Sequence, residues 1–251
     1  MGELGRKFRQ HMLVRGYSEA TRESYEQAVV ALVRAYGGTS PDQLSCDQVQ
    51  AFLADLIGKK KRAWSTVNVY VSAFRCFYQD VLGRKQDQFS LPPRGRGRIR
   101  PRVLDRESVR RILAVHTNLK HRALLEMTYG SGLRVSEVCK LKPCHIESAP
   151  DRMMVRVEQG KGRKDRYTLL SHQALTLLRQ YWPRESSREW LFPGVGGRGP
   201  VSVPTVQRMY REACLRAGVD HERARGIHTL RHCFASHLME DGVPLPVIQQ
   251  L

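Results

Sequence analysis

The chain reads as a mainly α protein carrying a small β-hairpin, an α+β arrangement, and three observations predict it. Apolar residues in the first third recur at helical spacing. A basic stretch rich in Gly and Pro interrupts the chain near its hundredth residue. Beyond that stretch, helical segments flank one pair of short alternating apolar runs. The 251 residues, 41% of them hydrophobic, suffice for two ordinary domains with cores of their own.

The N-terminal elements come first. Phe8 to Leu13 predict a short helix. Ser18 is placed to cap a longer one whose Tyr25, Val29, Leu32 and Val33 form a single apolar stripe. Ser45-Cys46-Asp47-Gln48 has capping-box form ahead of Val49, Phe52, Leu53 and Leu56. A third strong helix starts near Ser65, turns Val67, Val71, Phe74 and Tyr78 inward, and meets a natural stop at Gly83. These segments predict an all-helical bundle over residues 1–85. Residues 86–102 carry Arg94, Arg96, Arg98, Arg100 and Arg102 among Gly and Pro; with so little apolar content they predict a basic interdomain linker able to track a DNA backbone.

Residues 103–251 predict the second domain. Helices are expected over 108–115, 122–129, 171–181, 203–217 and 228–240, and another after Gly130-Ser131-Gly132. Residues 153–158 and 165–170 predict two strands joined by a hairpin at 159–164.

Charge narrows the partner. Forty-two Lys and Arg against 24 Asp and Glu give +18, an excess that repels itself unless an anionic partner offsets it; nucleic acid is the usual one, although ribosomal and membrane-surface proteins share such a balance. The cluster Lys59-Lys60-Lys61-Arg62 beside Trp64 is read either as a solvated loop or as a phosphate-facing one. No apolar run reaches membrane-spanning length and no signal-peptide core follows Met1, so a cytoplasmic protein without membrane contact is expected. Six scattered cysteines without a CxxC pair predict reduced thiols and no zinc site.

Three pieces of the second domain hold cations in unusual settings. Arg134 follows two glycines at the start of a helix, where a helix N-terminus and a guanidinium both suit phosphate, or where it simply pairs with Glu137. Lys161 sits in Gly160-Lys161-Gly162 at a hairpin tip, either a plain turn or a lysine aimed into a groove; the spacing and context of a nucleotide-binding P-loop are missing. His228 and Arg231, three apart, share one helix face, with Leu230, Phe234 and Leu238 turned the other way. His228 and His232 lack the Glu of a zinc-binding H-E-x-x-H, and His232 and His237 are read as structural.

Taken in order, G-L-R-V-S-E at 132–137, G-K-G-R-K-D-R at 160–166 and H-T-L-R-H-C-F-A-S-H-L at 228–238 resemble the tyrosine recombinase (phage integrase) family. The resemblance covers most of the chain. It implies a helical core-binding domain that clamps duplex DNA, followed by a catalytic domain. It implies that Arg134 and Arg231 grip the scissile phosphate, that Lys161 protonates the leaving 5′ oxygen, that His228 assists proton transfer, and that Glu137 orients Arg134. Neither metal nor cofactor is required, and self-association on DNA is expected of the full-length form. The family's nucleophilic tyrosine, which makes a 3′-phosphotyrosyl link, belongs to a motif expected beyond Val247-Ile248-Gln249-Gln250-Leu251. The catalytic domain is therefore expected to be incomplete, with no nucleophile and no cleavage by this chain alone. The alternative is an inert DNA-binding remnant that occupies or regulates recombination sites; a basic RNA-binding protein would leave the Arg134, Lys161, Arg231 set unexplained.

Overall fold

The computed structural model describes residues 2–93, 103–158, 165–185, 189–220 and 224–251. Lys161 and the linker arginines Arg94, Arg96, Arg98 and Arg100 lie outside the described residues. The chain divides into two compact units, Met1–Arg98 and Ile99–Leu251.

The first unit is helical: α1 (Glu3–Val14), α2 (Glu19–Ala35), α3 (Cys46–Gly58) and α4 (Trp64–Phe74), the last running on into a π-helical segment, Arg75–Val81. Local chemistry sets the starts. The Ser18 hydroxyl accepts from the Thr21 amide, and Ser45 and Gln48 form a reciprocal capping box. The apolar stripes then meet in one core around Phe8, Met12, Leu32, Phe52, Leu53, Phe74, Phe77 and Tyr78.

The sequence reading ended this unit at residue 85, and here the structure differs. Phe89 is 1% exposed and its ring packs edge-on against Phe74 and Tyr78. Arg75 donates to the Phe89 carbonyl at 2.9 Å, Gln50 exchanges hydrogen bonds with Ser90, and the Trp64 indole donates to the Pro92 carbonyl at 2.9 Å. A stretch with few apolar residues thus joins the core through a single phenylalanine, while side chains of the bundle satisfy its backbone.

The second unit holds α5 (Arg106–Ala114), α6 (Leu119–Gly130), α7 (Val135–Cys139), α8 (His172–Tyr181), α9 (Val203–Arg216), α10 (His228–Glu240) and α11 (Leu245–Gln250). A three-stranded antiparallel sheet, in the order β1 (Ile146–Ala149), β2 (Arg152–Val157), β3 (Arg166–Leu169), lies between α7 and α8. The pairing of β2 with β3, Val155 opposite Thr168 and Val157 opposite Arg166, is that of the expected hairpin. Strand β1 was not foreseen: Ile146-Glu147-Ser148-Ala149 has no clear alternation, and it is held by the register with β2. The fold is thus mainly helical with one small sheet, as the sequence predicted.

Helix α6 runs through the centre of this unit, with Ala123, Leu124, Leu125 and Met127 buried. Glu126, also buried on α6, is pushed up to about 7 by its burial, against the opposing pull of Arg122. Asp105 caps α5 by accepting from the Ser108 amide at 2.7 Å, and Ser202 caps α9.

Phe89→Ala should destabilise the first unit by about 3 kcal/mol or more, the usual result of emptying a buried aromatic site. Urea unfolding followed by tryptophan fluorescence measures it. A linker role for this segment predicts no change.

Candidate functional site

The second unit gathers its cations around one carboxylate, and the gathering begins with a glycine. Helix α6 ends at Gly130, and Gly132 takes a left-handed backbone, φ +59. A Cβ built there would lie 2.3 Å from Cδ1 of Phe234, so only glycine lets α10 lie this close to the turn. The Gly132 carbonyl then accepts a hydrogen bond from the Arg231 guanidinium. Two segments 99 residues apart are thereby locked together.

Arg134 follows the turn as the N-terminal cap of α7. Glu137 reaches back: one carboxylate oxygen accepts from the Arg134 amide at 2.8 Å and the other from its guanidinium at 2.7 Å. The sequence reading gave the helix N-terminus part of the phosphate attraction. At five residues α7 is barely more than one turn, so the guanidiniums carry the positive charge here.

A third arginine, which sequence reasoning passed over, completes the cluster. Arg166, first residue of β3, forks onto Glu137 with two hydrogen bonds of 2.8 Å, and its Nε donates to the Leu251 carbonyl at 2.5 Å. The Thr168 hydroxyl fixes the strand beside it by donating to the Ser131 carbonyl at 2.8 Å. In the sequence Arg166 closes the G-K-G-R-K-D-R motif and, by the alternation of β3, shares a face with buried Thr168, but neither signal names its partner.

The electrostatics show how close these groups are. Burial would raise the Glu137 carboxyl, yet hydrogen bonds from Arg166 and Arg134 override it and hold it down to about 2. Burial lowers Arg231, and the neighbouring Arg134 and Arg166 guanidiniums lower it further. His228 is lowered by partial burial and by His232, Arg231 and Arg134, which favours a neutral imidazole. Three guanidiniums thus face one carboxylate, leaving positive charge for an anion to offset.

The structure brings together Arg134, Glu137, His228 and Arg231, four of the five sequence-predicted residues of this site; the fifth, Lys161, lies outside the described residues. His237 is structural: buried, it pairs with the Tyr129 hydroxyl at 2.8 Å and the Leu104 carbonyl at 3.0 Å. His232 is exposed. In the first unit, Lys59 to Arg62 are all exposed on the connection between α3 and α4, with Lys59 paired to Asp55 at 3.0 Å and the Lys60 ammonium 5.8 Å from the centre of the Phe52 ring. The tyrosines of the second unit stand elsewhere. The hydroxyls of Tyr129 and Tyr181 are hydrogen-bonded within the core, Tyr210 is buried, and Tyr167 is exposed on the face of β3 opposite Arg166.

Two outcomes test this construction. Gly132→Ala should destabilise the second unit by about 2 kcal/mol, through the clash with Phe234 and the left-handed backbone, measured by chemical denaturation. Glu137 contributes stability that is present above its unfolded value near 4.5 and is lost as pH falls toward 2. Its contribution is of the order of 3 kcal/mol at most. Glu137→Gln should remove that acid-side slope from a plot of unfolding free energy against pH, and an unchanged slope would assign it to other carboxylates.

Comparison with known proteins shows the family. Residues 102–251 match the phage integrase family, and residues 4–88 match the phage integrase N-terminal SAM-like domain. The chain is 36% identical over 254 residues to the integrase/recombinase y4qK of Sinorhizobium fredii, covering 100% of this chain and 80% of that one. It is 32% identical over 225 residues to tyrosine recombinase XerD of Caulobacter vibrioides, covering 82% and 72%. Among solved structures, XerH recombinase bound to a palindromic difH substrate superimposes with TM-score 0.73 at 18% identity, over 94% of this chain and 73% of that one, which is a likeness of fold. No helix among the described residues is long and apolar enough to cross a membrane. With both of its domains matched and these relatives beside it, this chain belongs to the phage integrase family of tyrosine recombinases.

Proposed function

We propose that the cluster of Arg134, Arg166 and Arg231 around Glu137 receives the scissile phosphate of a DNA duplex in site-specific breakage and rejoining. The observation that carries this reading is the crowding itself. Two guanidiniums grip one carboxylate and a third lies beside them, so positive charge is in excess until an anion enters. A phosphodiester in the transition state carries more negative charge on its non-bridging oxygens than in the ground state, and preformed donors stabilise that increment. Arg134 and Arg231 supply these donors, Glu137 holds Arg134 in place, and neutral His228 is suited to accept a proton. Lys161 acts as the acid toward the leaving 5′ oxygen.

The nucleophile in this reading is a tyrosine from outside residues 1–251 or from a second protomer, since the four tyrosines of the second unit are committed to other contacts or to another face. Duplex DNA is the partner, with Lys59 to Arg62 and the linker arginines Arg94, Arg96, Arg98 and Arg100 contacting the backbone. Complexes of relatives point the same way: XerH was solved on difH DNA, and lambda integrase as a dimer on a COC′ core site.

Duplex binding should weaken with salt at a slope of roughly 0.9 per neutralised phosphate. Supplied with a tyrosine-bearing C-terminal segment and a nicked duplex carrying its site, the chain should trap a covalent protein–DNA adduct on a denaturing gel. Arg231→Ala should abolish the adduct while duplex affinity stays within about threefold, since the other phosphate contacts remain. An adduct of unchanged yield in Arg231→Ala and Arg134→Ala would remove the site from the reaction. Absence of any adduct on a specifically bound duplex would favour a regulator that only occupies recombination sites.

A further inference from the structure

The first unit contains a second gathering of reactive side chains, unrelated to the guanidinium cluster. His11 on α1 faces Cys76 and Asp80 on the π-helical segment, and one donor atom from each lies within 4.8 Å of the other two. Cys76 is 4% exposed, whereas the side chains of His11 and Asp80 are 27% and 41% exposed, so the cluster runs from the core to solvent. Its spacing does not suit hydrogen bonds. His11 Nε2 is buried without a hydrogen-bond partner, and the Asp80 carboxylate stands 3.8 Å from it. Leaving a buried ring nitrogen without a partner costs free energy, and nearly all such groups in folded proteins have one.

We propose that His11, Cys76 and Asp80 form a divalent transition-metal site, best suited to Zn2+, with water as the fourth ligand. Tetrahedral zinc holds sulfur at about 2.3 Å and nitrogen or oxygen at about 2.0–2.2 Å, which sets ligand atoms roughly 3.3–3.8 Å apart. The His11–Asp80 gap of 3.8 Å already lies at that spacing. The widest separation allowed in the cluster closes by about 1 Å, within reach of side-chain rotation by half-exposed Asp80. Nitrogen, thiolate and carboxylate together favour a borderline ion over Mg2+ or Ca2+, which want oxygen alone. Cys76 and Asp80, four residues apart, lie on one side of the π-helical segment, where His11 of α1 meets them. Binding releases one proton, from the Cys76 thiol, and the resulting thiolate and carboxylate balance the ion's two charges. Arg15, near Cys76 at the end of α1, opposes the ion but is exposed and screened by water. The spacing of the cysteines along the chain could not reveal this site, because only one of them takes part and the residues come from positions 11, 76 and 80.

The test titrates the untagged 251-residue protein, reduced with a non-thiol reductant, with Zn2+ by calorimetry and with Co2+ by absorption spectroscopy. One equivalent of Zn2+ should bind with release of one proton, and Co2+ should give a sulfur-to-metal charge-transfer band in the near ultraviolet. Cys76→Ser should abolish the band with the helical circular dichroism unchanged. His11→Gln and Asp80→Asn, both at part-exposed positions that fold without difficulty, should each weaken Zn2+ binding roughly tenfold or more. Failure to bind one equivalent overturns the proposal. So does a Co2+ band that persists in Cys76→Ser, which would place the ion on another thiol such as exposed Cys144.

Discussion

The guanidinium cluster of the second unit depends on how closely α10 approaches the turn between α6 and α7. Gly132 makes that approach possible, since its missing side chain leaves the space that Phe234 fills. The Arg231 guanidinium then binds the carbonyl of the same residue, so one position controls both the packing of the helix and the aim of its functional side chain. Arg134 is two residues along the same turn. A small displacement of α10 would therefore change the separation of Arg134 and Arg231, which the proposed grip on a phosphate would tolerate poorly.

Glu137 is what makes such crowding tolerable. Its two oxygens divide four hydrogen bonds between Arg134 and Arg166, and in doing so they fix a loop to a strand. Arg231, which makes no bond to Glu137, has its proton affinity lowered first by burial and then by both neighbouring guanidiniums. In the proposed reading, an entering phosphate would offset that excess positive charge.

Much of this was legible in the sequence, and the reasons for the exceptions are physical. Caps at Ser18 and Ser45 are local chemistry, readable within four residues, and their helices followed from them, whereas the Asp105 cap came only with the structure. The α+β class followed from periodicity. Arg134, Glu137, His228 and Arg231 were visible because they sit in short motifs. Arg166 was quoted in one of those motifs and yet given no role, because its partner is 29 residues away and alternation along a strand says which face a residue occupies but not what it meets there. Strand β1 and the packed segment through Pro93 escaped for a similar reason. One carries a weak strand pattern made good by its neighbour, and the other depends on a single phenylalanine whose pocket is built by other helices.

Two carboxyl groups within the second unit are displaced in opposite directions. Glu126, buried midway along α6, prefers to keep its proton, so the folded form becomes less favourable as that proton leaves between about 4.5 and 7. Glu137, gripped by arginines at the end of the following turn, penalises the opposite change on the acid side. As far as these two acids set it, the unit is firmest in mildly acidic solution and loosens in both directions. The loss toward neutral pH belongs to a buried residue of α6, the helix that leads into the Gly132 turn, so a carboxyl hidden in the core ties the stability of the whole unit to proton release.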